Sequence, residues 1–272
     1  MIQGFKQKGN GMPNFMYTLP DFDVFLILIA FTMTISIIFI IINKKFIYHK
    51  LRYKDNTTIS SISALIGIIY GVLVGFLCLY LITNQDHASQ AVQDEANALE
   101  NIFIQSTWMK QPYQGELQHD LLRYIDEVVN KEWQEMNSFI KIGLTGDKII
   151  LKILDDVKKF EPQSKSESIV FENMSRSINE LSNARHARIL LSYSVLAPEL
   201  WEVIILGTIL IIAVNYAFRV SLYLHLFGTF TFAIMAASML FLLVTLDTPF
   251  QGEFAVTADS IKDVANFINS TA

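Results

Sequence analysis

Four stretches of this chain carry no Asp, Glu, Lys or Arg: Val24 to Asn43, Asn56 to Gln85, Val203 to Phe218 and Val220 to Leu246. A bilayer hydrocarbon core of about 30 Å takes roughly 20 apolar residues of helix. The first, second and fourth stretches have that length. The third is short, and Leu196, Ala197, Leu200 and Trp201 extend it. Helices buried in soluble cores are shorter and flanked by amphipathic segments, so the four stretches read as membrane spans. Composition agrees, with 17% charged residues against about a quarter in soluble domains. The predicted fold class is an all-α integral membrane protein, with four transmembrane helices and an extramembrane helical bundle between spans two and three.

The boundaries follow from the charges. Residues 1–23 form an N-terminal segment, 24–85 a transmembrane hairpin, 86–199 the bundle, 200–247 a second hairpin and 248–272 a C-terminal tail. Four spans leave both termini on one side. The loop after the first span holds Lys44, Lys45, Lys50, Arg52 and Lys54 against Asp55 alone. The positive-inside rule keeps such a loop cytoplasmic. The loop after the third span, with only Arg219, agrees weakly. The termini and the bundle are then expected outside the cytoplasm. The first span is too long for a secretory signal, and its charges follow rather than precede it.

The outer segment has helical periodicity. Ala88, Ala91, Val92, Glu95, Leu99, Ile102 and Phe103 form one stripe. Pro112 predicts a break. Leu117, Leu121, Tyr124, Ile125, Val128, Val129 and Trp133 form a second stripe. A third helix follows the Gly143–Gly146 turn. "EPQSKSES" reads as a loop, and a fourth helix runs from Ile169 toward "APELW". Four such helices bury their stripes as an antiparallel bundle. No Pro or Gly separates the second span from the first bundle helix, so one helix is expected to serve both solvents. A gated pore, a sensor or a simple stalk is built this way.

Within the second span Ala64, Gly67, Gly71, Gly75 and Cys78 share a narrow sector, a repeated small-xxx-small pattern that allows close helix packing. Ile69, Leu73, Phe76 and Tyr80 lie opposite. Two readings are open: packing on another span with the bulky face to lipid, or several copies around an axis with an apolar constriction that gates by dewetting. Glu95 sits inside the first apolar stripe, where a carboxylate needs a partner. Arg185 and Arg188 on the last bundle helix are the candidates for a structural or gating ion pair. A solvated Glu at the stripe's edge is the alternative. Asp86 and Asp94 follow the span and would form a pore mouth.

Other chemistry has little support. The middle of each span lacks ionisable groups. His225 and Asp247 sit only near the ends of the fourth run, which disfavours proton-coupled transport. No nucleophile elbow, phosphate loop or H-E-x-x-H is present. His49, His87, His119, His186 and His225 are scattered, so no catalytic residue, cofactor or metal is expected. Cys78, the only cysteine, excludes a disulfide within one chain. The triplets at Asn56 and Asn269 match glycosylation sequons of the kind that arise by chance.

A series of motifs resembles a known family. "G-x-x-Y-G-x-L-x-G-F" spans Gly67 to Phe76, and "A-V-x-x-E-A-x-A-L" spans Ala91 to Leu99. "L-R-Y" covers Leu122 to Tyr124, and "E-W-x-x-M" covers Glu132 to Met136. "L-S-N-A-R-x-x-R" runs from Leu181 to Arg188, "L-A-P-x-L-W" from Leu196 to Trp201, and "L-D-x-P-F-x-G" from Leu246 to Gly252. In order and spacing they resemble the bacterial bestrophin-like domain proteins, from about residue 24 to 268. The resemblance implies a homo-oligomeric ion channel, with the second span lining the pore and no cofactor. It departs in one respect: bestrophins keep their termini and extramembrane helices in the cytosol, opposite to the charge bias here. The expected partners are the bilayer, inorganic ions and further copies as a tetramer or pentamer, with no nucleic acid. The carboxylates after the span favour cations. A non-conducting sensor or scaffold whose bundle binds a partner is the second reading. A lipid-modifying enzyme is the third.

Overall fold

A computed structural model describes residues 13–17, 19–42, 45, 55–138, 140–218 and 220–271. Residues 1–12 of the N-terminal segment lie outside the described residues. So do Lys44, Lys50, Arg52 and Lys54 of the basic loop, and Arg219. The described residues are helical, without strands. In chain order the helices are α1 (Asp21–Ile42), α2 (Asn56–Ser106), α3 (Tyr113–Glu127), a π-turn (Val128–Glu132), α4 (Trp133–Asn137), α5 (Thr145–Lys158), α6 (Lys165–Ser192), α7 (Pro198–Asn215), α8 (Leu222–Leu246) and α9 (Asp259–Thr271), after a short 3-10 turn (Asn14–Tyr17). Four of them are long and apolar enough to cross a membrane: α1, α2, α7 and residues 223–246 of α8. The change of solvent expected after Gln85 would fall within the 51 residues of α2.

The chain divides into two compact units. One comprises residues 1–83 and 195–254, the other 84–194 and 255–272.

In the first unit, α1 packs on α8 through small residues. Val24, Leu28, Thr32 and Ser36 form its buried face, four residues apart. Thr32 Oγ1 donates to the Ala233 carbonyl at 3.0 Å, and Ala233 and Ala237 are fully buried. Close approach of this kind is how spans associate where lipid removes the hydrophobic drive. Pro198 occupies the first turn of α7, where its missing N–H costs nothing. Gly207 makes room for the Tyr70 ring, which a Cβ there would overlap. The Tyr70 hydroxyl is 2.7 Å from Thr208 Oγ1.

In the second unit, all seven residues of the first predicted stripe are buried, Glu95 among them. Leu117, Leu121 and Tyr124 of α3, Ile149 and Ile153 of α5, and Met174, Ile178 and Leu181 of α6 are buried in the same unit. Asp120, buried on α3, receives Lys152 of α5 at 2.5 and 2.7 Å.

Three details differ from the sequence reading. Helix α6 starts at Lys165, inside the expected loop, because the N-cap Ser164 Oγ accepts from Glu167 N–H, and Glu167 reaches back to accept from Gln163 N–H. Glu132 and Met136 are buried while Val129 and Trp133 are only half-buried, so the buried face continues the line of Leu121, Ile125 and Val128 through the π-turn. Residues 248–272 contain α9, whose Ile261, Val264 and Ile268 are buried. Phe267 of this helix meets Phe103 edge-on at 5.5 Å.

Candidate functional site

The longest polar construction lies in the core of the second unit. Arg185 and Arg188 stand one turn apart on α6 and enter the bundle together. Arg188 grips Glu95 with two bonds, Nε to Oε2 at 2.6 Å and Nη2 to Oε1 at 3.1 Å. The same Nη2 lies 2.8 Å from Glu132 Oε2. The other Glu132 oxygen accepts from Arg185 Nη2 at 2.7 Å. Arg185 Nη1 ends the chain on Asp147 Oδ1 at 2.5 Å. Tyr124 donates its hydroxyl to Glu95 Oε1 at 2.6 Å. The Arg188 guanidinium also lies over the Trp133 ring at 5.3 Å.

The result is an alternating row, Glu95–Arg188–Glu132–Arg185–Asp147, drawn from α2, α6, the π-turn and α5. Only Asp147, 31% exposed, touches solvent. Glu132 belongs to the π-turn, and such turns concentrate at functional sites. Gly146 is required at the α5 end, since a Cβ there would run into Glu132 Oε1 and Arg185 Nε.

The electrostatics lock these charges. Burial works against the Arg188 cation, but Glu95, with Tyr124 and Glu132, outweighs it and holds its pKa above the ordinary arginine value. Arg185 is raised in the same way: burial opposes its charge, and Glu132 more than offsets it. Burial first, and the Glu95 charge second, push the Tyr124 phenol well above its usual range. The arrangement fastens four segments together.

Sequence reasoning placed Glu95, Arg185 and Arg188 here. The structure pairs Glu95 with Arg188, while Arg185 faces Glu132 and Asp147. Glu132, Tyr124 and Asp147 were missed. The first two lie within motifs of the family resemblance, which was the available signal.

A second buried polar cluster belongs to the first unit. Asp247, fully buried after α8, accepts from Tyr17 hydroxyl at 2.6 Å, Leu196 N–H at 2.6 Å and Trp201 Nε1 at 3.3 Å. It ties the turn before α1 to the start of α7 and the end of α8. Sequence reading saw Asp247 only as an ionisable group near a span end.

The membrane half of α2 is different, being largely uncovered by its own chain. Ile69, Phe76 and Tyr80 are 62%, 68% and 51% exposed. Leu73 is half-buried, toward the covered side marked by Val74 and Leu81. A Cβ at Gly67, Gly71 or Gly75 would meet nothing within 4 Å, so within one chain these glycines are not packed. Cys78 is a half-buried free thiol. Asp86 and Asp94 are exposed, and Asp94 accepts from Gln90 at 2.7 Å. Among the described residues no group of three or more His, Cys, Asp or Glu side chains is placed to hold a metal.

Spans and bundle together define an all-helical integral membrane protein. The bestrophin-like domain family model matches residues 25–261, and the chain belongs to that family, as its motifs led one to expect. Its fold is that of solved relatives. Two substituted forms of a bacterial bestrophin homologue from Klebsiella pneumoniae superpose with TM-scores of 0.69 and 0.67. Each is 13% identical, over 90% of this chain and 97% and 98% of theirs. A crystal structure of a membrane protein gives a TM-score of 0.68 at 12% identity, over 90% of this chain and 97% of that one. No curated protein matches the sequence.

Proposed function

We propose that this protein is a homo-oligomeric ion channel of the bacterial inner membrane, a ring of four or five copies with α2 around the axis and cations as the preferred ions. The observation that carries the reading is the uncovered face of α2. Its glycines have open space, its bulky residues are exposed, and the span holds no charge. Contacts between copies through Gly67, Gly71 and Gly75 set the spacing. Ile69, Phe76 and Tyr80, with Leu73 at the edge, then narrow the axis to an apolar constriction, which controls conduction by dewetting. Asp86, repeated in every copy, forms a carboxylate ring that concentrates cations and repels anions. The role is conduction, not catalysis.

Reconstitution in planar bilayers tests this. Leu73→Ala or Phe76→Ala raises conductance, and Asp86→Asn lowers the preference for cations over anions. A preparation silent in every variant returns the protein to a sensor or scaffold.

The orientation belongs to the same proposal. The charges from Lys44 to Lys54 hold that loop in the cytoplasm, so the bundle lies outside. In a Cys78→Ser background, an impermeant thiol reagent applied to intact cells labels Lys165→Cys and leaves Lys50→Cys unlabelled. The reverse pattern overturns the orientation and places the bundle in the cytosol.

A further inference from the structure

We propose that a groove on the second unit, between α2 and α6, receives helix α5 of a second copy of this chain. The inference rests on the homo-oligomer reading and names the surfaces that build the oligomer.

The groove has a volume of about 780 Å³. Its floor is made of small side chains, Ala91 and Ala98 from α2 with Ala184 and Ala187 from α6. Asp94 and Glu180 stand on its two walls, and no Lys or Arg lines it. Its α2 wall runs from His87 to Asn101, about 21 Å at 1.5 Å per residue. A floor of alanines between two helices is the shape left for a third helix.

Helix α5 has the matching surface. Ile149, Ile150, Ile153 and Val157 are buried in its own bundle. On the outside, Leu144 and Leu151 are 69% and 59% exposed, and Lys148 stands exposed between them. These three positions share one helical face. The 14 residues of α5 are about 21 Å long, the length of the groove.

Register and charge agree. Leu144 and Leu151 are seven residues apart, as are Ala91 and Ala98. Lys148 lies between the leucines as Asp94 lies between the alanines. The leucines enter the alanine positions as knobs enter holes, and with α5 running antiparallel to α2 the lysine falls level with the aspartate. Because α5 buries its other face in its own unit, groove and ridge are two different patches. A contact of this type is heterologous, and in a closed oligomer it repeats from copy to copy around the ring. It places Asp94 at the subunit contact and leaves Asp86 as the mouth carboxylate.

The test is cysteine cross-linking of the full chain in native membranes, in a Cys78→Ser background. Asp94→Cys with Lys148→Cys gives, on mild oxidation, a ladder of disulfide-linked species ending at the ring. Either substitution alone gives none. Charge exchange supplies a second arm: Asp94→Lys weakens the purified oligomer at least tenfold in dissociation, and adding Lys148→Asp restores it. An oligomer of unchanged native mass with no cross-link in the double variant overturns the groove contact and leaves the oligomer reading standing. A cross-link from Asp94→Cys alone also overturns it, since like surfaces then meet. A monomeric native mass overturns both.

Discussion

Replacing Arg188 with alanine costs the bundle about 3–5 kcal/mol, the loss typical of a broken buried ion pair. The size follows from what is stranded. Glu95 and Glu132 are 0% and 2% exposed, and both contact Arg188. Removing the guanidinium leaves two carboxylates facing each other without water. Glu95→Ala costs less, because Arg188 keeps Glu132. Arg185→Ala also costs less, because Glu132 keeps Arg188 and Asp147 is partly solvated. A double-mutant cycle by chemical denaturation in detergent, followed by tryptophan fluorescence, separates the pairs. Coupling of Glu95 to Arg188 comes out large, and coupling to Arg185 near zero. Equal coupling to both arginines, or none to either, contradicts the described row.

Asp247→Ala is expected to destabilise the first unit by at least about 3 kcal/mol, since each buried donor left without a partner costs about 1–3 kcal/mol. Three donors lose their acceptor together: the Tyr17 hydroxyl, the Leu196 N–H and the Trp201 indole. Asp247→Asn keeps one acceptor oxygen and falls between. Tyr17→Phe removes one bond and costs about 1–2 kcal/mol. Thermal melting in detergent reads the order Asp247→Ala, then Asp247→Asn, then Tyr17→Phe. A melting point unchanged by Asp247→Ala would show that the cluster holds nothing.

The spans were legible because hydrocarbon leaves so few options: a chain without charge for 20 residues has to be helix there. Glu95 was legible for the same kind of reason, a charge where the period calls for an apolar residue. Its partner's identity was not. Arg185 and Arg188 are one turn apart, and which one meets Glu95 depends on where Glu132 stands. Glu132 stands about three α-helical turns after Leu121, on the face of that stripe, but it is charged, and a stripe drawn through apolar residues passes to Val129 and Trp133 beside it. Asp247 gathers donors from positions 17, 196 and 201, an arrangement that exists only once the first unit is folded. In α9 the pattern at Ile261, Val264 and Ile268 is present, but a 13-residue helix is marginal alone and owes its order to α3 and Phe103. The alanine-floored groove combines two helices, so neither helix's own pattern announces it.

The central claim is that several copies of α2 surround one conducting axis. An electron-microscopy reconstruction of the purified protein in lipid nanodiscs tests it most directly. The account predicts four- or five-fold rotational symmetry, with Ile69, Phe76 and Tyr80 toward a central path free of lipid. A monomer, or an oligomer whose axis is filled by lipid or by solid helix packing, would contradict it.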